Sequence, residues 1–99
     1  MRMEIKNVSS IDKLKLKHAC GEVNKLDNSS IEFTSITNLD TNHFYECHFV
    51  LWNDTKLHLI INITEKEKKE TEFKYRGMFI GMTYREKCLI ETYKIFNIK

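Results

Sequence analysis

Apolar and polar residues alternate with a period of two along most of this chain. That is the pattern of strands with one face in a core and the other in water. Tyr45, Cys47, Phe49 and Leu51 fall on one side, with Glu46 and His48 opposite. Leu57, Leu59, Ile61 and Ile63 repeat the pattern, with His58 and Asn62 opposite. Trp52-Asn53-Asp54-Thr55 between them is suited to a tight turn, so the two runs read as a β-hairpin. A turn loop of residues 52–54 would place His48 directly across from His58.

Weaker runs extend the sheet. Ile31, Phe33 and Ser35 alternate with Glu32 and Thr34, and residues 38–43 read as the loop that follows. Residues 14–23 predict an opening strand through Leu14, Leu16, His18 and Cys20, alternating with Lys13, Lys15 and Lys17. Residues 72–82 predict a strand with Phe73, Tyr75 and Phe79 on one side. Gly77 interrupts it, a sign of a bulge or a close backbone approach. The charged run 65–70 is expected as the exposed tip before it. The period then changes. Thr83-Tyr84-Arg85-Glu86 is a capping box, and Leu89, Ile90, Tyr93 and Phe96 recur at helical steps. Five or six strands and one terminal helix predict a mainly β fold, a small antiparallel barrel covered by the helix.

Composition bounds the rest. The chain has 99 residues, enough for one domain, 1–99, with 1–13 expected as a flexible N-terminal segment. The net charge of +2 is too small to predict nucleic-acid binding, and nucleic acid is not expected as a partner. Tyr75, Arg76 and Tyr84 are the one aromatic and basic cluster that a single-strand-binding barrel would use. The three cysteines, Cys20, Cys47 and Cys88, are odd in number and widely spaced. They read as reduced thiols packed among apolar residues, in a cytoplasmic protein. Residues 1–12 hold no signal-peptide core, and no run is long enough to insert in a membrane.

Catalysis finds no motif. G-x-S-x-G, P-loop and H-E-x-x-H patterns are absent, and Cys47 and His48 point to opposite faces of one strand. No enzyme activity and no cofactor are expected. His48 and His58 form half of a zinc ligand set with Glu46 as the third donor in reach. The plainer reading, two histidines on the outside of a sheet, is preferred, with no metal site.

The order of the elements resembles the PilZ domain, a bacterial family of small six-stranded barrels whose founding activity is binding cyclic di-GMP. The resemblance spans residues 14–96. Gly21-Glu22-Val23 with Leu26, then Ile31-Glu32-Phe33, is similar to the second strand and the turn before it. Residues 44–51 and 57–64 resemble the central hairpin. Tyr75-Arg76-Gly77-Met78-Phe79 resembles the strand that carries an aromatic, a glycine and a phenylalanine, and residues 85–93 resemble the terminal helix.

The family's ligand motifs are incomplete here. Its nucleotide-binding members carry Arg-x-x-x-Arg on a flexible N-terminal segment and Asp/Asn-x-Ser-x-x-Gly at a turn. This chain offers Arg2 and Lys6, and lysine lacks the planar fork that stacks on guanine. At the turn, one register aligns Asp27 and Ser29 but sets Glu32 where glycine belongs. The other, preferred because Leu26 and Ile31 keep the apolar pattern, aligns Lys25, Asp27 and Ser30.

The resemblance therefore implies a PilZ-like six-stranded barrel, with Arg2, Lys6, Asp27, Ser29 and Ser30 as the residues that would hold cyclic di-GMP. It implies weak or absent binding of that ligand and a protein-binding role in a bacterial signalling, motility or surface-structure pathway. The partner is expected to be another bacterial protein, docking on the barrel face or on the helix flank of Arg85, Ile90 and Lys94. A cyclic di-GMP receptor with a degenerate site is the alternative, and a single-strand-binding barrel the second alternative.

Overall fold

The hairpin at the centre of the chain sets the register of the whole sheet. In the computed structural model, which describes residues 1–8, 19–52 and 54–96, β4 (Phe44–Val50) pairs with β5 (Lys56–Lys68). Tyr45 faces Ile61, Cys47 faces Leu59 and Phe49 faces Leu57. The turn closes through the Thr55 N–H, which donates to the Trp52 carbonyl at 2.7 Å. Asp54 sits at φ 60, a left-handed conformation that Asp tolerates better than most residues.

Around this pair the chain lays β1 (Arg2–Asn7), β2 (Ala19–Leu26), β3 (Ser30–Ser35) and β6 (Phe73–Ile80). All neighbours are antiparallel, and the order β1-β2-β3-β6-β5-β4 closes into a six-stranded barrel. Closure leaves no edge strand in the ring itself. Only the charged extension of β5, residues 65–68, is paired on one side alone among the described residues, where its charges guard against edge-to-edge pairing. The inward residues are those of the alternation: Met3, Ile5, Ile31, Phe33, Tyr45, Cys47, Phe49, Leu57, Leu59, Ile61, Ile63 and Tyr75 are buried.

Both ends of the barrel are plugged. At one end, the segment after β3 returns Leu39 to the core. The buried Tyr75 hydroxyl holds it, donating to the Thr37 carbonyl at 2.6 Å and accepting from the Leu39 N–H at 2.8 Å. At the other end lies α1 (Tyr84–Phe96). Its first turn is fixed by the capping box: the Thr83 N–H donates to Glu86 Oε1 at 2.9 Å, and the Glu86 N–H donates to Thr83 Oγ1 at 3.2 Å. Ile90 enters the core, and Tyr93 stacks on Trp52 with ring centroids 5.8 Å apart.

Gly77 marks a close approach, and the bulge falls on the strand opposite it rather than in β6 itself. A Cβ there would stand 3.3 Å from Ile61 Cβ, so the strands approach closely. The register of β5 against β6 slips between Ile63 and Glu65, opposite this glycine.

Four expectations need correction. Residues 2–7 are not a flexible tail. They form a strand between β2 and β4, because Met3 and Ile5 supply two wholly buried core side chains. The charged run is exposed as expected, but only Lys69 and Glu70 lie in the tip; residues 65–68 continue β5, which pairs with β6 as far as Phe73. Cys88 is exposed rather than packed, on the side of the helix away from Ile90, and Cys20 is half-buried on the outward face of β2, across from Glu4. Ile90 is 0% exposed and belongs to the core rather than to a docking flank. The proposed strand over 14–18, with Lys13, Lys15 and Lys17, lies outside the described residues.

Candidate functional site

Polar side chains that alternate out of the barrel must gather on its outer wall, and on three adjacent strands they form a titratable cluster. β1 pairs with β4 so that Glu4 faces His48, and β4 pairs with β5 so that His48 faces His58. The imidazoles of His48 and His58 stack with centroids 4.0 Å apart and planes 23° from parallel. Glu46 is two residues along β4 and therefore on the same face. Its Oε1 lies 3.5 Å from His58 Nε2. Lys6 faces Glu46 from β1.

His48 is the least ordinary member. Its Nε2 is shielded from solvent and has no hydrogen-bond partner among the described residues. Burial holds its pKa below the usual histidine value. The charges of His58 and Lys6 push the same way, against the opposing pull of Glu46 and Glu4. His48 is accordingly neutral at physiological pH, with a lone pair available on one ring nitrogen. His48 and His58 also line one wall of an open cleft of about 1040 Å³, which runs past Met1, Arg2 and Glu4 toward Tyr93 on the helix.

The residues expected to hold cyclic di-GMP fall into two groups. Arg2 and Lys6 project outward from β1, at opposite ends of the strand. The Arg2 guanidinium is turned toward β2, where it donates to Cys20 Sγ at 3.1 Å. Asp27, Ser29 and Ser30 form the β2–β3 turn. The Asp27 N–H donates to the Ser30 carbonyl at 2.9 Å, and the Ser29 carbonyl accepts from the Phe79 N–H at 3.0 Å. Asp27 Oδ1 accepts from the Asn28 N–H at 2.8 Å and from Lys94 Nζ at 2.9 Å. The Lys94 bond, with the Asn28 N–H behind it, holds the Asp27 carboxyl below its ordinary pKa.

The helix flank divides in the same way. Arg85 is exposed, Ile90 is buried and Lys94 is tied to Asp27. The face turned away from the barrel carries Tyr84, Cys88 and Ile95, at steps of four and seven residues, with Phe96 beside them. Tyr84 is 84%, Ile95 67% and Phe96 79% exposed. The aromatic and basic cluster considered for single strands is split. Tyr75 is in the core, Arg76 faces out with Glu65 at 3.9 Å, and Tyr84 opens the helix.

Two features of the surface are not evident from the sequence. Glu4 joins the histidine row only because residues 2–7 are a strand, and the alternation of Met3 and Ile5 with Arg2, Glu4 and Lys6 was the available signal. On the helix, Phe96 falls at a helical step from Leu89 and Tyr93, which predicts it inward, but it is 79% exposed and joins the outward side chains instead.

No helix among the described residues is long and apolar enough to cross a membrane. No protein-family model matches the chain, and neither a curated protein nor a solved structure matches it.

Proposed function

We propose that the chain is a PilZ-like binding module without catalytic activity, acting by protein–protein contact in a bacterial signalling, motility or surface-structure pathway. The observation that carries this reading is the outward face of α1. Tyr84, Ile95 and Phe96 are large apolar side chains with most of their surface in water. Covering such surface is favourable by about 25 cal/mol per Å², and Ile95 and Phe96 stand together at the end of the helix while Tyr84 opens it. Six strands in a closed barrel with one terminal helix are the architecture that the family resemblance implies. The three free cysteines fit a cytoplasmic setting.

Weak or absent binding of cyclic di-GMP belongs to the same reading. A guanine clamp needs cationic groups free to fold over the ligand. Arg2 and Lys6 are held in a strand, and Asp27 already serves Lys94 and the Asn28 N–H. Calorimetric titration with cyclic di-GMP tests this half. No heat up to ~100 μM ligand, about −5.5 kcal/mol on the affinity scale, is the expected result. Saturation near ~1 μM would instead favour a receptor with a degenerate site. The contact half is tested by cross-linking in cells with the wild type and with Ile95→Glu/Phe96→Glu. Partners lost only in the variant support the helix face, and an unchanged partner set removes it.

A further inference from the structure

We propose that Glu46, His48 and His58 bind one zinc-like divalent transition-metal ion on the outer wall of the barrel, with the fourth coordination position open to water from the adjoining cleft. The three residues each offer one ligand atom, and these atoms lie within 4.8 Å of one another. Two imidazole nitrogens and one carboxylate oxygen are the donor set of open three-ligand zinc sites. The set suits a borderline metal better than calcium or magnesium, which prefer oxygen alone.

Three observations converge on this site. The positions are rigidly held, because Glu46, His48 and His58 stand on two paired central strands whose opposite faces are the core. The shielded Nε2 of His48 lacks any hydrogen-bond partner among the described residues, although buried polar atoms are ordinarily paired. Ligation would give it one. The charge is also right. Glu4 faces His48 across β1 and β4 and adds a second carboxylate beside the Glu46 one, where a dication would sit.

Binding needs a small local rearrangement. Stacked rings hold their lone pairs in nearly parallel planes, so one ring must turn for both to meet one ion. Ligand atoms in a tetrahedral zinc site are ~3.3 Å apart, closer than the 4.8 Å span here. Rotation about the broad imidazole χ2 and a swing of the Glu46 carboxylate supply the difference. The exposed His58 is free to make the turn.

The test is calorimetric titration of the full chain with zinc sulfate, in a Cys88→Ser background so that the exposed thiol takes no metal. Cobalt absorption serves as a second readout of coordination. One ion per chain is expected. Second-shell changes alone cost zinc sites about 10–100-fold, so His48→Gln and His58→Gln should each weaken binding by at least ~10-fold. Glu46→Gln should weaken it too, and guards against a histidine variant that fails to fold. His43→Gln, with its ring against Tyr45 elsewhere on the barrel, should change nothing. Absence of binding up to ~100 μM zinc, or binding that survives in the folded double variant His48→Gln/His58→Gln, would overturn the proposal.

Discussion

Lys94 Nζ lies 2.9 Å from Asp27 Oδ1 and joins the last turn of the helix to the β2–β3 turn. The pair unites a residue considered for nucleotide binding with one considered for partner docking, and gives both a structural task. It predicts a pH signature. The folded Asp27 carboxyl titrates below its ordinary value, chiefly through the Lys94 bond. Its stabilising contribution is therefore present above the unfolded carboxylate value of ~3.9 and is lost as pH falls through the folded value. Lys94 is raised by the same bond, so its share is present below ~10.4 and is lost as pH rises through its folded value. Lys94→Ala should lower the urea midpoint between these limits, and its effect should shrink as pH falls through the folded Asp27 value. Both groups are partly exposed and screened, so the effect will be small.

Tyr75 carries a larger effect. Its hydroxyl bonds both the Leu39 N–H and the Thr37 carbonyl and so seats the loop that plugs the barrel. Tyr75→Phe keeps the ring contact with Phe33, at 5.2 Å between centroids, but strands a buried N–H. Such a group costs ~1–3 kcal/mol, to be read from denaturant unfolding. Leu39 amide exchange should speed up beyond the global change, because the loop opens first.

Local signals made most of the fold legible. The hairpin could be read because its period, turn residues and length agree, and its register then set His48 opposite His58. The helix could be read from Thr83 and Glu86. What escaped was tertiary. β1 contributes only Met3 and Ile5 to the core, too short a run to distinguish from a tail, and its partners β2 and β4 are distant in sequence. Residues 65–68 have no apolar face at all, so their strand has no periodicity to read. They are extended because β6 offers a ladder. Ile90 sits one residue past Leu89 on the helical wheel, and only the packing decides which of the two is fully buried. The Asp27–Lys94 pair joins groups 67 residues apart and leaves no local trace.

Gly21 tests how tightly the barrel wall is packed. A Cβ built there stands 3.0 Å from Phe33 Cδ2 and 3.1 Å from the Thr34 carbonyl oxygen. The ring is wholly buried and the carbonyl belongs to the paired strand β3, so neither yields easily. Gly21→Ala should cost ~1–3 kcal/mol by overpacking. The same change on an exposed stretch of strand would favour alanine. A melting temperature at or above the wild type would show that the β2–β3 contact has slack.

The three thiols should separate by chemistry as well as by place. Burial pushes the Cys47 pKa up to about 12, which leaves almost no thiolate at pH 8 and no path for a reagent. Cys88 is exposed on the outer helix face, and Cys20 is half-buried beneath the Arg2 guanidinium. A disulfide reagent at pH 8 should modify Cys88 first and Cys47 only on unfolding, and Cys88→Ser should abolish the fast phase. Linkage gives a second, independent reading. Because the folded thiol is raised, its contribution is complete below the unfolded value of ~8.5 and declines as pH rises toward about 12. Cys47→Ala should remove that alkaline decline while lowering stability at neutral pH, since the small cavity it leaves is lined by core side chains. Prompt modification of Cys47 in the folded protein would mean that the wall between β4 and β5 opens far more readily than its packing allows.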